Sequence, residues 1–391
     1  MTPAARLQAA IEILDLVIES ARDDGPPADA LVTRYFKTRR YAGSKDRRAV
    51  RELVFRAVRR TAERPDSGRA AIVGLAQEDG GLLELFGEPR GPEPLCERET
   101  GSQSGVVPQW LIPELSPLVG RDEWPALLER APLDLRANVA RTSREAMLAA
   151  FPEAQPTPLS PWGLRLPAGS RIDDRPEYAS GLIEVQDEGS QLIALACEPQ
   201  PRQRIVDLCA GAGGKALALS SAAPEAAILA TDANRLRLSK LAPRALRAGA
   251  SIETRLVDPP NELEQLEDWR GSADLVLVDA PCSGSGTWRR NPDSRWRLTP
   301  ERLDRLVALQ RYLLDMAAEL VKPGGAIVYA VCSLLLREGA GQIASFFGSR
   351  SAWIAQDILK DAGRSDGEGR LLTPASDSTD GFFIARLAKP C

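Results

Sequence analysis

Apolar residues recur at helical spacing in LQAAIEILDLVIESA and again in AVRELVFRAVRRTA, which predicts helices over residues 1–62, with the GSKDRR turn feeding the second. From 63 to 105 Gly, Pro, Ser and acidic residues dominate, and only short apolar pieces such as LLELF interrupt them. That composition predicts a linker or loosely structured segment. Over 106–175 the runs VPQWLIPEL, the helix-like DEWPALLERA and the strand-like LDLRANVA suggest a small α/β module. From 176 to 391 the strand-like runs RIVDL, AILATD, SIETRLVD, ADLVLVD and GAIVYAV alternate with helical stretches, the pattern of βαβ units and a parallel sheet. The largest helix has Thr299 as cap, Pro300 at its first position, Leu303, Leu306, Val307, Leu313, Leu314 and Ala317 along one face, and Gly324 beyond its end.

With 391 residues, 43% of them hydrophobic and 27% charged, the chain can bury a sizeable core and fill two or three domains, which excludes a disordered tail or a stapled mini-protein. Cysteines at 96, 197, 209, 282, 332 and 391 form no CxxC pair and no metal-ligand spacing, so free thiols in a reducing compartment, and no metal, are expected. The chain holds no histidine, which excludes serine–histidine triads, cysteine–histidine dyads and histidine-ligated metals. No apolar run reaches the roughly 18 residues that span a bilayer, and MTPAARLQAA lacks the apolar core of a signal peptide. A soluble cytoplasmic monomer is therefore expected. Net charge is −4, unevenly spread: Arg34 to Arg60 holds eleven Lys or Arg against Asp46 and Glu52, a local +9 that leaves −13 for the remainder. Such density, with Arg39, Arg40, Lys45, Arg47 and Arg48 at its centre, suits a phosphate backbone, the alternative being a solvated arginine-rich helix.

RIVDLCAGAGGKALAL runs from a buried strand through a glycine-rich turn into a helix, and Gly211, Gly213 and Gly214 let the backbone turn sharply and approach a ligand. Asp232 closes the next strand 21 residues after Gly211, where an acid accepts hydrogen bonds from ribose hydroxyls. GAGGKA lacks the spacing of a P-loop, and the dinucleotide signature is incomplete. S-adenosylmethionine fits better, because Asp207, Asp232, Asp258 and Asp279 fall at or near predicted strand ends, and an acidic edge tolerates a sulfonium where it would repel a pyrophosphate. ADLVLVDAPCSGSG delivers Asp279 and Cys282 to the same edge, and GAIVYAVCS delivers Cys332, 50 residues after Cys282. Either cysteine alone reads as a small buried hydrophobe; two at one mouth suggest chemistry.

The combination DLCAGAGGK, DAPCSGSG and YAVCS, preceded by QDEGSQL, resembles the RNA cytosine-5 methyltransferases of the Nol/Nop/Sun family. RRYAGSKDRRAVRELVF resembles the NusB-like domain of the bacterial members that methylate 16S ribosomal RNA. The resemblance implies a Rossmann-like class I methyltransferase domain with a mostly parallel sheet, preceded by the small α/β module and an all-α N-terminal domain. It implies that Cys209, Ala210, Gly211, Ala212, Gly213, Gly214 and Lys215 form the cofactor loop for S-adenosylmethionine, Asp232 holds the ribose and Asp258 lies beside the adenine. Asp279 would face both methyl donor and base, Cys332 would be the nucleophile, and Cys282 would assist release of the product. Two thiols suit this reaction, since a thiolate adding at C6 of cytosine makes C5 nucleophilic, and the adduct must afterwards be expelled.

Asp279 is a candidate to share a proton with cytosine N3, and Lys215 and Arg289 are candidate cations for the thiolate. Departures from the family pattern are Val331 before the nucleophile, where Thr is common, Gly339 rather than Asn after Glu338, and GGKA rather than GGKT. Arg289 and Arg290, with Arg295, Arg297, Trp288 and Trp296, follow DAPCSGSG directly and are expected to contact phosphates and unstacked bases, with burial of the tryptophans as the alternative. RNA, ribosomal above all, is thus the expected partner, with salt-sensitive binding. The same reaction on transfer RNA, or a catalytically weak ribosome-assembly factor, remains as a rival reading.

Overall fold

The computed structural model describes residues 1–23 and 25–391. They form two compact units. The first comprises Met1–Leu115, Gly120–Glu129 and Thr287–Pro300; the second comprises Ser116–Val119, Arg130–Gly286 and Glu301–Cys391.

The first unit is helical. α1 (Pro3–Arg22) begins where the Thr2 hydroxyl accepts the Ala5 N–H at 3.1 Å, with Pro3 supplying a pre-set φ. α2 (Ala28–Lys37), α3 (Ser44–Arg60) and α4 (Gly68–Glu78) follow. Leu7, Ile13, Leu14 and Val17 of α1 meet Val50, Val54 and Val58 of α3 and Ile72 and Leu75 of α4 in one core.

α4 corrects the expectation of a loose segment over 63–105. Its inward residues are mostly small (Ala71, Ile72, Ala76), so the apolar stripe is faint in sequence, yet they are fully buried. Ser67 caps it by accepting the Ala70 N–H, and Asp15 of α1 accepts the Gly68 N–H at 2.6 Å. The stretch that follows is tied down by polar contacts. Ser102 donates its N–H to Ala70 and accepts from Arg60 Nη1 at 2.6 Å, and Arg69 grips both oxygens of Glu99. These interactions are between side chains and backbone distant in sequence, and composition does not report them.

The second unit holds two sheets. The smaller is antiparallel in the order β2-β3-β1-β4, from β1 (Leu133–Ala137), β2 (Gln155–Pro156), β3 (Gly163–Leu166) and β4 (Ile183–Val185). The helix Arg144–Ala150 packs Met147 onto Leu135, Leu164 and Ile183 of this sheet. The module therefore ends past residue 175, because the three-residue β4 that closes it is too short to carry a pattern, while most of 106–129 belongs to the helical unit.

The larger sheet has five parallel strands in the order β7-β6-β5-β8-β9: β5 (Arg204–Asp207), β6 (Ala227–Asp232), β7 (Glu253–Leu256), β8 (Ala273–Asp279) and β9 (Val321–Val331). Antiparallel strands β10 (Ile354–Gln356), β11 (Arg364–Asp366), β12 (Gly369–Leu372) and β13 (Phe382–Ala388) extend it beyond β9. The continuous apolar runs of β5, β8 and β9 are buried on both faces, as a parallel sheet requires. Strand order reverses between β5 and β8, and the carboxyl edge at such a reversal is where open α/β sheets bind ligands.

Candidate active site

At that edge β5 ends in Asp207 and the chain turns through Cys209–Gly214 into the helix Gly214–Ala222. Gly211 and Gly213 sit at φ of 57° and 82°, and a Cβ on Gly213 would run into the Leu241 side chain, so the turn needs glycine there twice over. Asp232, at the end of β6, braces the turn: its carboxylate accepts the N–H of Gly211 at 2.8 Å and of Asn234 at 2.6 Å. Each oxygen keeps a further lone pair. Asp258 follows β7 with an exposed side chain.

Asp207 is fully buried, and neither carboxylate oxygen closes a hydrogen bond of ordinary geometry, although the Ala216 N–H lies toward it. Burial pushes its pKa up to about 7, with help from the nearby charge of Asp279 and against the pull of Lys215. Lys215 Nζ donates to Asp279 Oδ2 at 2.6 Å. Burial drags the ammonium's pKa down, but Asp279, with Cys332 and Asp207 in its field, outweighs burial and leaves it raised.

The two thiols come together: Cys282 Sγ lies 3.3 Å from Cys332 Sγ. The adjoining Cys332 and burial hold the Cys282 thiol well above its ordinary pKa, and the charge of Glu338 adds to this.

Behind the thiols lies a polar cluster. Ser283 and Ser333, directly after the two cysteines, and Ser285 bring their hydroxyls within 3.1 to 3.2 Å of one another. The fully buried Glu338 accepts the Ser283 N–H at 2.9 Å, the Ser333 hydroxyl at 2.6 Å and Gln310 Nε2 at 2.9 Å. In sequence Glu338 stood out only as the neighbour of an unusual Gly339; the serine after each cysteine was the one available hint. Gly339 itself lies under the Phe383 ring, 2.8 Å from where a Cβ would be, which excludes the commoner Asn.

The basic residues expected to meet RNA divide in two. Arg40, Lys45, Arg47 and Arg48 are exposed around the α2–α3 turn, beside Tyr41 at 73% exposure, while Arg39 is half-buried over the Tyr35 ring, 3.6 Å from its centroid, and reaches Glu12. The expectation for Arg289 is corrected: only 6% exposed within the helical unit, it presents no face to a phosphate. Arg290 is exposed. Trp288 and Trp296 are buried in the same unit, and Trp296 joins its core and donates Nε1–H to the Thr61 carbonyl at 2.9 Å. Arg295 is buried too, donating to the carbonyls of Val58 and Arg59 in the last turn of α3 and to those of Val106 and Pro292. Adjacent Arg and Trp made this stretch resemble a nucleic-acid surface; for Arg295 and Trp296, helix-end carbonyls in need of donors account for the pattern instead.

Among the described residues no helix is long and apolar enough to cross a membrane. Residues 194–388 match the family model described as 16S rRNA methyltransferase RsmB/F. The ribosomal RNA small subunit methyltransferase B of Pectobacterium atrosepticum is 34% identical over 324 residues, covering 79% of this chain and 72% of that protein. A solved structure titled as that of PH0851 superposes with a TM-score of 0.77 at 21% identity, covering 100% of this chain and 99% of that one. A methyltransferase homolog from Pyrococcus horikoshii gives 0.61 at 25% identity, over 71% of this chain and 92% of that one. The likenesses in structure establish a Rossmann-like methyltransferase fold, and the extent of the match in sequence makes this chain a member of the 16S rRNA methyltransferase RsmB/F family.

Proposed function

We propose that this protein transfers a methyl group from S-adenosylmethionine to C5 of cytosine in RNA of the small ribosomal subunit, with Cys332 as nucleophile and Cys282 assisting product release. The observation that carries the reading is the pair of thiols 3.3 Å apart, on the same sheet edge as the glycine turn.

The donor set at that edge fits the methyl donor. Asp207, Asp232 and Asp279 end β5, β6 and β8, and carboxyl groups there suit ribose hydroxyls and a sulfonium better than a pyrophosphate. Cys209 to Lys215 would line the cofactor, Asp232 would hold the ribose through its remaining lone pairs, and Asp258 would lie near the adenine. S-adenosylmethionine supplies an electrophilic methyl group there.

C5 of cytosine is a weak nucleophile. When Cys332 sulfur bonds to C6, the C5–C6 π pair shifts toward C5 and N3, where a proton stabilises it. Because Lys215 already donates to Asp279, the proton offered toward N3 belongs to that pair rather than to Asp279 alone. Lys215 is also a cation in electrostatic reach of Cys332, a role Arg289 is too buried to share. After C5 has taken the methyl group it gives its proton to solvent, the C5–H pair reforms the ring double bond, the C6–S pair returns to sulfur and N3 gives back its proton. Cys282, beside the departing sulfur, assists this elimination. A cytosine must leave any helix to reach the thiols, so the target is single-stranded, looped or flipped, and the cations around Arg40 and Arg48 would bind phosphates of the larger RNA.

The test is transfer of labelled methyl from S-adenosylmethionine to unmethylated small-subunit ribosomal RNA, with nucleoside analysis. Wild type should form 5-methylcytosine, Cys332→Ala should form none, and Cys282→Ala should accumulate a covalent protein–RNA adduct. RNA binding without transfer, on this RNA or on transfer RNA, would overturn the reading in favour of an assembly factor.

A further inference from the structure

Cys282 and Cys332 leave neighbouring parallel strands 50 residues apart in sequence. Once past the strand ends, the sheet no longer fixes the separation of the two sulfurs, and other contacts have to do so. Gly286 donates its N–H to the Cys332 carbonyl at 3.0 Å, and Ser285 Oγ accepts the Leu334 N–H at 2.8 Å. The remaining contacts converge on one carboxylate. Glu338 Oε1 accepts from the backbone after Cys282, its Oε2 accepts from the side chain after Cys332, and Gln310, which donates to Oε1, also donates to the Pro281 carbonyl just before Cys282 at 2.9 Å. Tyr329 fastens the backbone of Glu338 by donating to its carbonyl at 2.7 Å.

All these donors are neutral. A carboxylate buried on neutral donors gives up its solvation, and an amide could fill the same space at a smaller loss. A carboxylate differs in that it only accepts, through two oxygens in one plane, and its hydrogen bonds are about twice as strong as neutral ones. It therefore pulls donors from two loops onto one point. Its charge also disfavours ionisation of Cys282.

We infer that Glu338 is a positioning residue that sets the separation of the two thiols by clamping Ser283 and Ser333, the residues that directly follow Cys282 and Cys332. The inference rests on the proposed pairing of a nucleophilic and a releasing thiol, and its principal test does not require turnover. Dibromobimane carries two alkylating arms, each of which forms a C–S bond and releases bromide, and it bridges only thiols that lie close together. The yield of the Cys282–Cys332 bridged peptide, read by mass spectrometry on full-length protein, reports the separation directly.

Wild type should bridge readily. Glu338→Ala should bridge at least tenfold less, and Glu338→Gln, which keeps one acceptor oxygen, should recover part of the yield. In methyl transfer, Glu338→Ala should lower kcat tenfold or more with KM for RNA within twofold, and Glu338→Gln should restore part of kcat. If Glu338→Ala fails to fold, Gln310→Ala replaces it, with a smaller loss of bridging expected. Bridging at the wild-type yield in folded Glu338→Ala, or no bridging in wild type, overturns the inference. Reduced bridging in a protein whose wild type transfers no methyl group would instead overturn the proposed function and leave the clamp standing.

Discussion

Two clusters of buried polar groups, one in each unit, are satisfied differently. In the helical unit, Arg295 is buried yet its guanidinium donates to five backbone carbonyls, two of them at the end of α3; burial lowers its pKa to about 9, which leaves it charged at neutral pH. Beside it Trp296 closes the core and satisfies its own N–H. In the sheet unit, Asp207 is buried without a proper donor, Glu338 is held by neutral groups, and two thiols lie side by side. Buried polarity that is satisfied in full stabilises a fold. Buried polarity left open or strained toward one form marks a place kept ready for a ligand or a reaction.

The contrast can be broken most severely at Trp296. Trp296→Ala should cost about 3 to 5 kcal/mol through the cavity and the orphaned Thr61 carbonyl, read as a fall in the thermal or urea midpoint; a loss under about 1 kcal/mol would deny the residue its place in the core. Asp207 sharpens the other side. Its pKa rises from about 4 unfolded to about 7 folded, so the folded state holds the extra proton and stability falls as pH climbs between those values. Asp207→Asn should remove this slope, gaining on wild type by up to about 4 kcal/mol at pH 8 relative to pH 4. Parallel stability–pH curves for the two proteins would refute the shift. The smallest effect is expected from Ser285→Ala, which strands the buried Leu334 N–H and should cost about 1 to 2 kcal/mol, with faster hydrogen exchange at Leu334. Unchanged exchange there would mean that Ser285 does not hold the loop.

The parallel sheet was legible because five apolar runs alternate with helices, and the glycine turn and both cysteines could be assigned to its carboxyl edge from strand ends alone. α4 was hidden, since Gly68, Gly74 and a set of alanines weaken the periodicity that packing against α1 makes unnecessary. Arg289 was misplaced, and Trp288 and Trp296 were left open between an RNA surface and the core, for a different reason. Alternating cations and indoles look alike in sequence whether they face a nucleic acid or a helix end, and only the location of the acceptors separates the two. Glu338 escaped notice because its partners, Ser283, Gln310 and Ser333, are scattered over 50 residues, and no local pattern links an acceptor to donors that meet only after the sheet has formed.

The membership of Thr287–Pro300 in the helical unit bears on the order in which the molecule is made. A ribosome releases the N-terminal helices early, but the indole that completes their core arrives only with residue 296. At the roughly 5 to 20 residues per second of bacterial and eukaryotic synthesis, the helices wait on the order of ten seconds or more for it, with the carbonyls at the end of α3 wet until Arg295 reaches them. A fragment that stops at residue 130 would retain the early helices and lack their plug, so a segment synthesised before the sheet cannot finish folding until most of the sheet's parallel strands have also been made.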